Sequence, residues 1–189
     1  MKGLTKVQLL VALFIGGLVG VIAWATMNQS LERRQKKMIV TRAINSMRRG
    51  DYLVLQNKET KALALYEASL SAINKENEPI AYANIKNSQG VCYYKMSHKE
   101  NQQENLVRAI ASYNEAISVY NSDGRLSDLA ITLINTGDAY TKLAQYQNAV
   151  KNRLEAKKVY QKALKIYTKK SHPDKYETIT KKIRELSGQ

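Results

Sequence analysis

Small and aromatic residues return along this chain in one register, 47 positions apart, and nothing else in the sequence restricts the fold as strongly. Gly90 falls on Gly137, Tyr93 on Tyr140, Ala109 on Ala156, Tyr113 on Tyr160 and Ala116 on Ala163. Written out, Ala109-Ile110-Ala111-Ser112-Tyr113-Asn114-Glu115-Ala116-Ile117 lies over Ala156-Lys157-Lys158-Val159-Tyr160-Gln161-Lys162-Ala163-Leu164. One period earlier, Ala62, Tyr66 and Leu70 stand where Ala109, Tyr113 and Ile117 stand, with Ser69 under Ala116. Pro79 and Tyr82 return two periods on as Pro173 and Tyr176. Self-similarity at a fixed period marks a chain that stacks one supersecondary unit on the next. The reason is packing: Gly and Ala let two helices approach, and an aromatic ring fills the hole that small neighbours leave.

Only two prolines interrupt the chain, and twelve tyrosines stand against one Phe and one Trp. That balance suits helices packed through tyrosine rings. The pattern predicts an all-α protein with helices over about 7–48, 58–74, 79–97, 103–121, 125–145, 149–170 and 173–187. The expected breaks are Gly50-Asp51, Asn74 to Pro79, Ser122-Asp123-Gly124 and Ser171-His172-Pro173. Ile179, Ile183 and Leu186 recur at helical spacing among charges, as a terminal cap with one apolar and one wet side requires. Four regions follow: an N-terminal anchor at 1–30, a basic helix at 31–50, repeats at 51–171 and a capping helix at 172–189.

The recurring residues resemble the tetratricopeptide repeat (TPR), whose unit is a pair of antiparallel helices. Gly90/Tyr93 and Gly137/Tyr140 match its first helix; Ala109/Tyr113/Ala116 and Ala156/Tyr160/Ala163 match its second. The basic unit has about 34 residues, so this longer one is similar to the extended variety with an Asn-Leu-x-x-Ala-Ile segment, here Asn105 to Ile110. The extra length falls around Ser97–Asn105 and Gln145–Arg153. The resemblance, over roughly residues 35–189, implies a superhelix whose concave face holds peptides or helices of other proteins. Partner-binding candidates are then the first-helix positions away from the packing residues: Asn84, Asn87, Val91, Tyr94, Ile131, Ile134, Asp138 and Thr141. Any one of them is also readable as an ordinary packed or solvated helix position. The Lys/Asn/Arg set with which some members grip a terminal carboxylate is missing.

Val7 to Met27 carries no charge, and at about 1.5 Å per residue it matches the roughly 30 Å hydrocarbon core of a bilayer. A single-pass membrane helix is expected there. Gly16 and Gly20 would form its helix-packing face, Trp24 an interfacial anchor, and Arg33, Arg34, Lys36 and Lys37 would meet lipid headgroups. Three fates stay open. The segment is retained whole, or it is cut as a signal peptide after Ala23-Trp24-Ala25, or it is cut after Gly3. The last follows from the stretch Lys2-Gly3-Leu4-Thr5 with Leu9-Leu10-Val11-Ala12-Leu13, which resembles the leader of type IV prepilins and pseudopilins. Gln8 stands where that family has Glu, and Leu4 where it has Phe. Basic residues past the apolar run favour a cytoplasmic repeat region; cleavage implies export. The side stays open.

A formal charge of +14 speaks to partners, not fold. It gathers just after the apolar run and between Lys151 and Arg184. One cysteine, Cys92, and two histidines, His98 and His172, form no recognisable metal or catalytic constellation, so neither enzyme activity nor a cofactor is expected. Nucleic acid is not expected either, since no base-reading motif accompanies the charge. The sequence therefore reads as a membrane-anchored scaffold or adaptor that recruits or assembles proteins, with self-association open. The alternative is a pilin-like component of a filament or secretion machine.

Overall fold

The computed structural model describes residues 6–188, with side chains from Gly17 onward. Within them the chain is all helical: α1 (Lys6–Leu55), α2 (Glu59–Leu70), α3 (Pro79–Met96), α4 (Gln102–Ser122), α5 (Leu126–Leu143), α6 (Ala149–Ile166) and α7 (Pro173–Leu186). The chain divides into two units, Met1–Arg42 and Ala43–Gln189. In the first, the described residues form one helix, with Arg33, Arg34, Lys36 and Lys37 exposed along it. A Cβ added at Gly20 would meet no neighbour within 4 Å beyond its own helix. Among the described residues no helix is long and apolar enough to cross a membrane. The prepilin-like leader at residues 1–5 and the side chains of 7–16, Gly16 included, lie outside the described residues.

The second unit begins at Ala43. The expected break at Gly50-Asp51 is not there: α1 runs through both residues to Leu55. Glycine inside a helix costs about 1 kcal/mol against alanine, so the position needs a reason. A Cβ at Gly50 would stand 2.6 Å from Tyr66 Cε1. The glycine is a seat for the ring. The chain turns later, at Asn57, in the left-handed region with φ 55°.

The same arrangement recurs twice. A Cβ at Gly90 would meet Tyr113 Cδ1 at 2.5 Å, and one at Gly137 would press on the Tyr160 ring. Tyr66, Tyr113 and Tyr160 are at most 1% exposed. The end of α1 pairs with α2, α3 with α4 and α5 with α6. The connecting loops of the last two pairs are alike: Asn101 and Asn148 both have φ 46°. Four residues further on, Asn105 Nδ2 donates to Glu100 O at 2.8 Å and Asn152 Nδ2 to Gln147 O at 2.7 Å. These buried asparagines hold the longer loops closed.

Side-chain bonding decides where α2 stops. It was expected to reach residue 74 and ends at Leu70. Asn74 Oδ1 accepts the Glu76 and Asn77 amides at 3.0 and 2.9 Å, and Asn77 Nδ2 donates to Ala72 O at 2.8 Å. Asparagine bonded to nearby backbone competes with helix continuation. Successive hairpins then share apolar faces. Ala83, Ala116 and Tyr120 join Leu129, Ala130, Leu133, Ala156 and Tyr160 in one cluster, which Ile179 of α7 closes at 1% exposure, with Ile183 and Leu186 beside it.

Candidate interaction groove

Three first helices, the end of α1, α3 and α5, bring their polar residues together in the second unit. A groove of about 260 Å³ is lined by Met47 and Asp51 of α1, by Asn84, Asn87 and Ser88 of α3, by Tyr120, and by Asp128, Ile131 and Thr132 of α5. A larger one, about 650 Å³, opens between Tyr94 and His98 of α3, Asp138, Thr141 and Lys142 of α5, Arg153 and Tyr160 of α6, and Lys182 and Glu185 of α7. The sequence candidates divide between them. Asn84, Asn87 and Ile131 line the smaller groove; Tyr94, Asp138 and Thr141 line the larger. Ile134 sits apart, in a 170 Å³ recess against Lys175, Thr178, Ile179 and Lys182 of α7.

Val91 is half-buried and packs on the cluster of Leu106, Ala109, Ile110 and Tyr113, as Tyr94 does, and it lines neither of the two grooves.

The asparagines are partly committed to the fold. Asn84 Oδ1 accepts from the Tyr120 hydroxyl at 2.7 Å, and Asn87 Oδ1 accepts from Thr132 Oγ1 at 3.2 Å. Their carbonyl ends hold α3 to its neighbours. The amide nitrogens have no acceptor among the described residues, which leaves them donors for a chain lying in the groove.

Two aspartates organise the walls. Asp51 Oδ1 accepts from Tyr66 Oη at 2.7 Å and from Ser88 Oγ at 3.0 Å, tying α1 to α2 and α3. Asp138 Oδ1 accepts from Tyr160 Oη and from Lys182 Nζ, both at 2.5 Å, tying α5 to α6 and α7. Burial, and then donation to a carboxylate, push the Tyr66 and Tyr160 hydroxyls far above the usual phenol range. Tyr94 is raised too, first by burial and then by the Asp138 charge. The Tyr66 and Tyr160 phenols therefore stay neutral donors at any physiological pH.

Asp51, Ser88 and Lys182 were not foreseen. A signal for Asp51 was present, because Gly50-Asp51 repeats Gly137-Asp138. The first hairpin has a shorter loop, with Gly50 standing 16 positions before its tyrosine where Gly137 stands 23 before Tyr160. A strict 47-residue register therefore lays Ala43, not Gly50, under Gly90. Among the described residues, no three His, Cys, Asp or Glu side chains converge as metal ligands. No protein-family model, curated protein or solved structure matches this chain.

Proposed function

We propose that this chain is a membrane-tethered scaffold of tetratricopeptide-repeat type, whose first-helix grooves hold a segment of a partner protein. The observation that carries the reading is the lining of those grooves. Successive first helices present amide, hydroxyl, carboxylate and apolar groups to the same two openings, the larger of them beside the Tyr160 ring seated on Gly137. An extended or helical segment needs this mixture: donors and acceptors for its backbone, and apolar area at low entropic cost. The role is binding, with no catalysis and no cofactor.

The tether rests on α1. Leu18, Val19, Val21, Ile22, Trp24 and Met27 are each more than half exposed. So much contiguous apolar surface calls for a lipid or protein cover. With the uncharged run from Val7, it suits a bilayer, and tethering raises the local concentration of whatever the grooves bind.

A photoreactive residue at Ile131, which is 42% exposed in the smaller groove, tests the reading in membranes extracted with detergent. The expected result is one dominant crosslinked partner, with the crosslink lost when Asn84→Asp and Asn87→Asp remove the groove's amide donors and the melting temperature is held. Crosslinks that survive those changes, or that are scattered over many proteins, contradict it.

The uncharged run from Val7 behind Lys2-Gly3-Leu4-Thr5 favours one second reading: a pilin-like subunit with a helical head. It requires a mature N-terminus at Leu4. Intact mass with Met1 retained removes it.

A further inference from the structure

The outward face of α6 differs in kind from the same face of the other hairpins. Lys151, Lys158, Lys162 and Lys165 are all exposed, and at about 100° per residue they fall within a wedge of roughly 60°. That wedge lies opposite the buried Ala156 and Ala163. Val150, 84% exposed, and Leu154, 51% exposed, run along its edge. One period earlier, on α4, the four lysine positions are Glu104, Ala111, Glu115 and Ser118. On the first hairpin the three that follow its loop are Ala64, Ala68 and Ser71. The fold is built equally well without lysine there, so packing does not explain the stripe.

The lysines are locally unfavourable. Lys158 and Lys162 are like charges one turn apart, and Lys151 sits in the first turn, where the helix dipole prefers the acidic residue α4 has in Glu104. Lys158 reaches Glu155 at 2.8 Å. Among the described residues, Lys151, Lys162 and Lys165 take part in no ion pair. From Lys151 to the end of the chain there are twelve Lys and Arg against four Asp and Glu.

We infer that this face of α6 docks on an anionic lipid surface, independently of whether residues 7–27 span a bilayer. Charge complementarity requires an anionic partner. The exposed Val150 and Leu154 select lipid among anionic partners, because aliphatic side chains beside a lysine row enter the headgroup boundary, while a phosphate backbone gives them nothing to bind. Stacking on single-stranded nucleic acid calls for exposed aromatic side chains, and this wedge carries none.

The test uses the full chain with Val150→Cys carrying a polarity-sensitive fluorophore. Cys92 will not compete, being fully buried with its thiol pushed up to about 12, chiefly by burial. The chain is added to vesicles of phosphatidylcholine, alone or mixed with phosphatidylserine. Association with neutral vesicles reports the N-terminal segment, and its failure would strike the tether while leaving the α6 signal readable. The expected signal is a blue shift only with phosphatidylserine, reversed by high salt. Docking should weaken roughly fivefold per lysine, so about a thousandfold in K151Q/K158Q/K162Q/K165Q at unchanged helix content. A shift that ignores phosphatidylserine, or that survives the fourfold variant, overturns the inference. So does equal protection of the label by RNA or by an acidic peptide without vesicles.

Discussion

The outer hairpins and the middle one seat their tyrosines identically and finish them differently. Tyr66 and Tyr160 each donate to an aspartate that follows the seating glycine, and the aspartate also binds the next element along, Ser88 or Lys182. In the middle hairpin Val91 takes the aspartate's place beside Gly90, and Tyr113 packs in an apolar cluster. The ring on glycine is therefore the invariant part of the unit. The carboxylate is an addition that couples a hairpin to its successor. Where it is lacking, α3 reaches its neighbours through Asn84 with Tyr120 and Asn87 with Thr132.

That contrast makes graded predictions for unfolding by denaturant. Tyr113→Ala and Tyr160→Ala should cost most, about 3–5 kcal/mol each, because both empty a site at 1% exposure. A clearly cheaper Tyr113→Ala would show that the carboxylate-free seat is the weaker one. Gly90→Ala and Gly137→Ala come next. The clash with the ring, about 1–3 kcal/mol, should outweigh the roughly 1 kcal/mol that alanine gains in a helix, so each lowers the melting temperature.

Asp51→Ala and Asp138→Ala should cost about 1–2 kcal/mol by leaving tyrosine hydroxyls without their acceptor, while Val91→Ala should leave the Tyr113 hydroxyl untouched. Equal losses at all three sites would erase the distinction. The smallest effect belongs to Glu59, which is 4% exposed and held by Lys99 at 2.8 Å. Burial raises its carboxyl, but the Lys99 and Lys95 contacts carry it below the ordinary value of 4.5. A depressed pKa adds stability that is present above about 4.5 and fades as pH falls through the lower folded value. With Lys99 57% exposed, screening keeps this to a few tenths of a kcal/mol. Glu59→Gln should flatten the stability profile only in that acidic window, as denaturation at several pH values will show.

The helices from α3 onward and the seats at Gly90 and Gly137 were legible because glycine, alanine and tyrosine report packing through spacing alone. Gly50 was misread as a break, since a shortened loop shifted it out of the 47-residue register. Asp51 and Lys182 act on residues 37 and 44 positions away, a distance that no local pattern encodes.

The most direct measurement is a double-mutant cycle on Gly90 and Tyr113, followed by denaturant unfolding. If the ring rests on the glycine, Gly90→Ala should be costly beside tyrosine and nearly harmless beside Tyr113→Leu, a coupling above about 1 kcal/mol. Strict additivity of the two changes would mean that the two residues do not touch, and the repeated seat would fall with them.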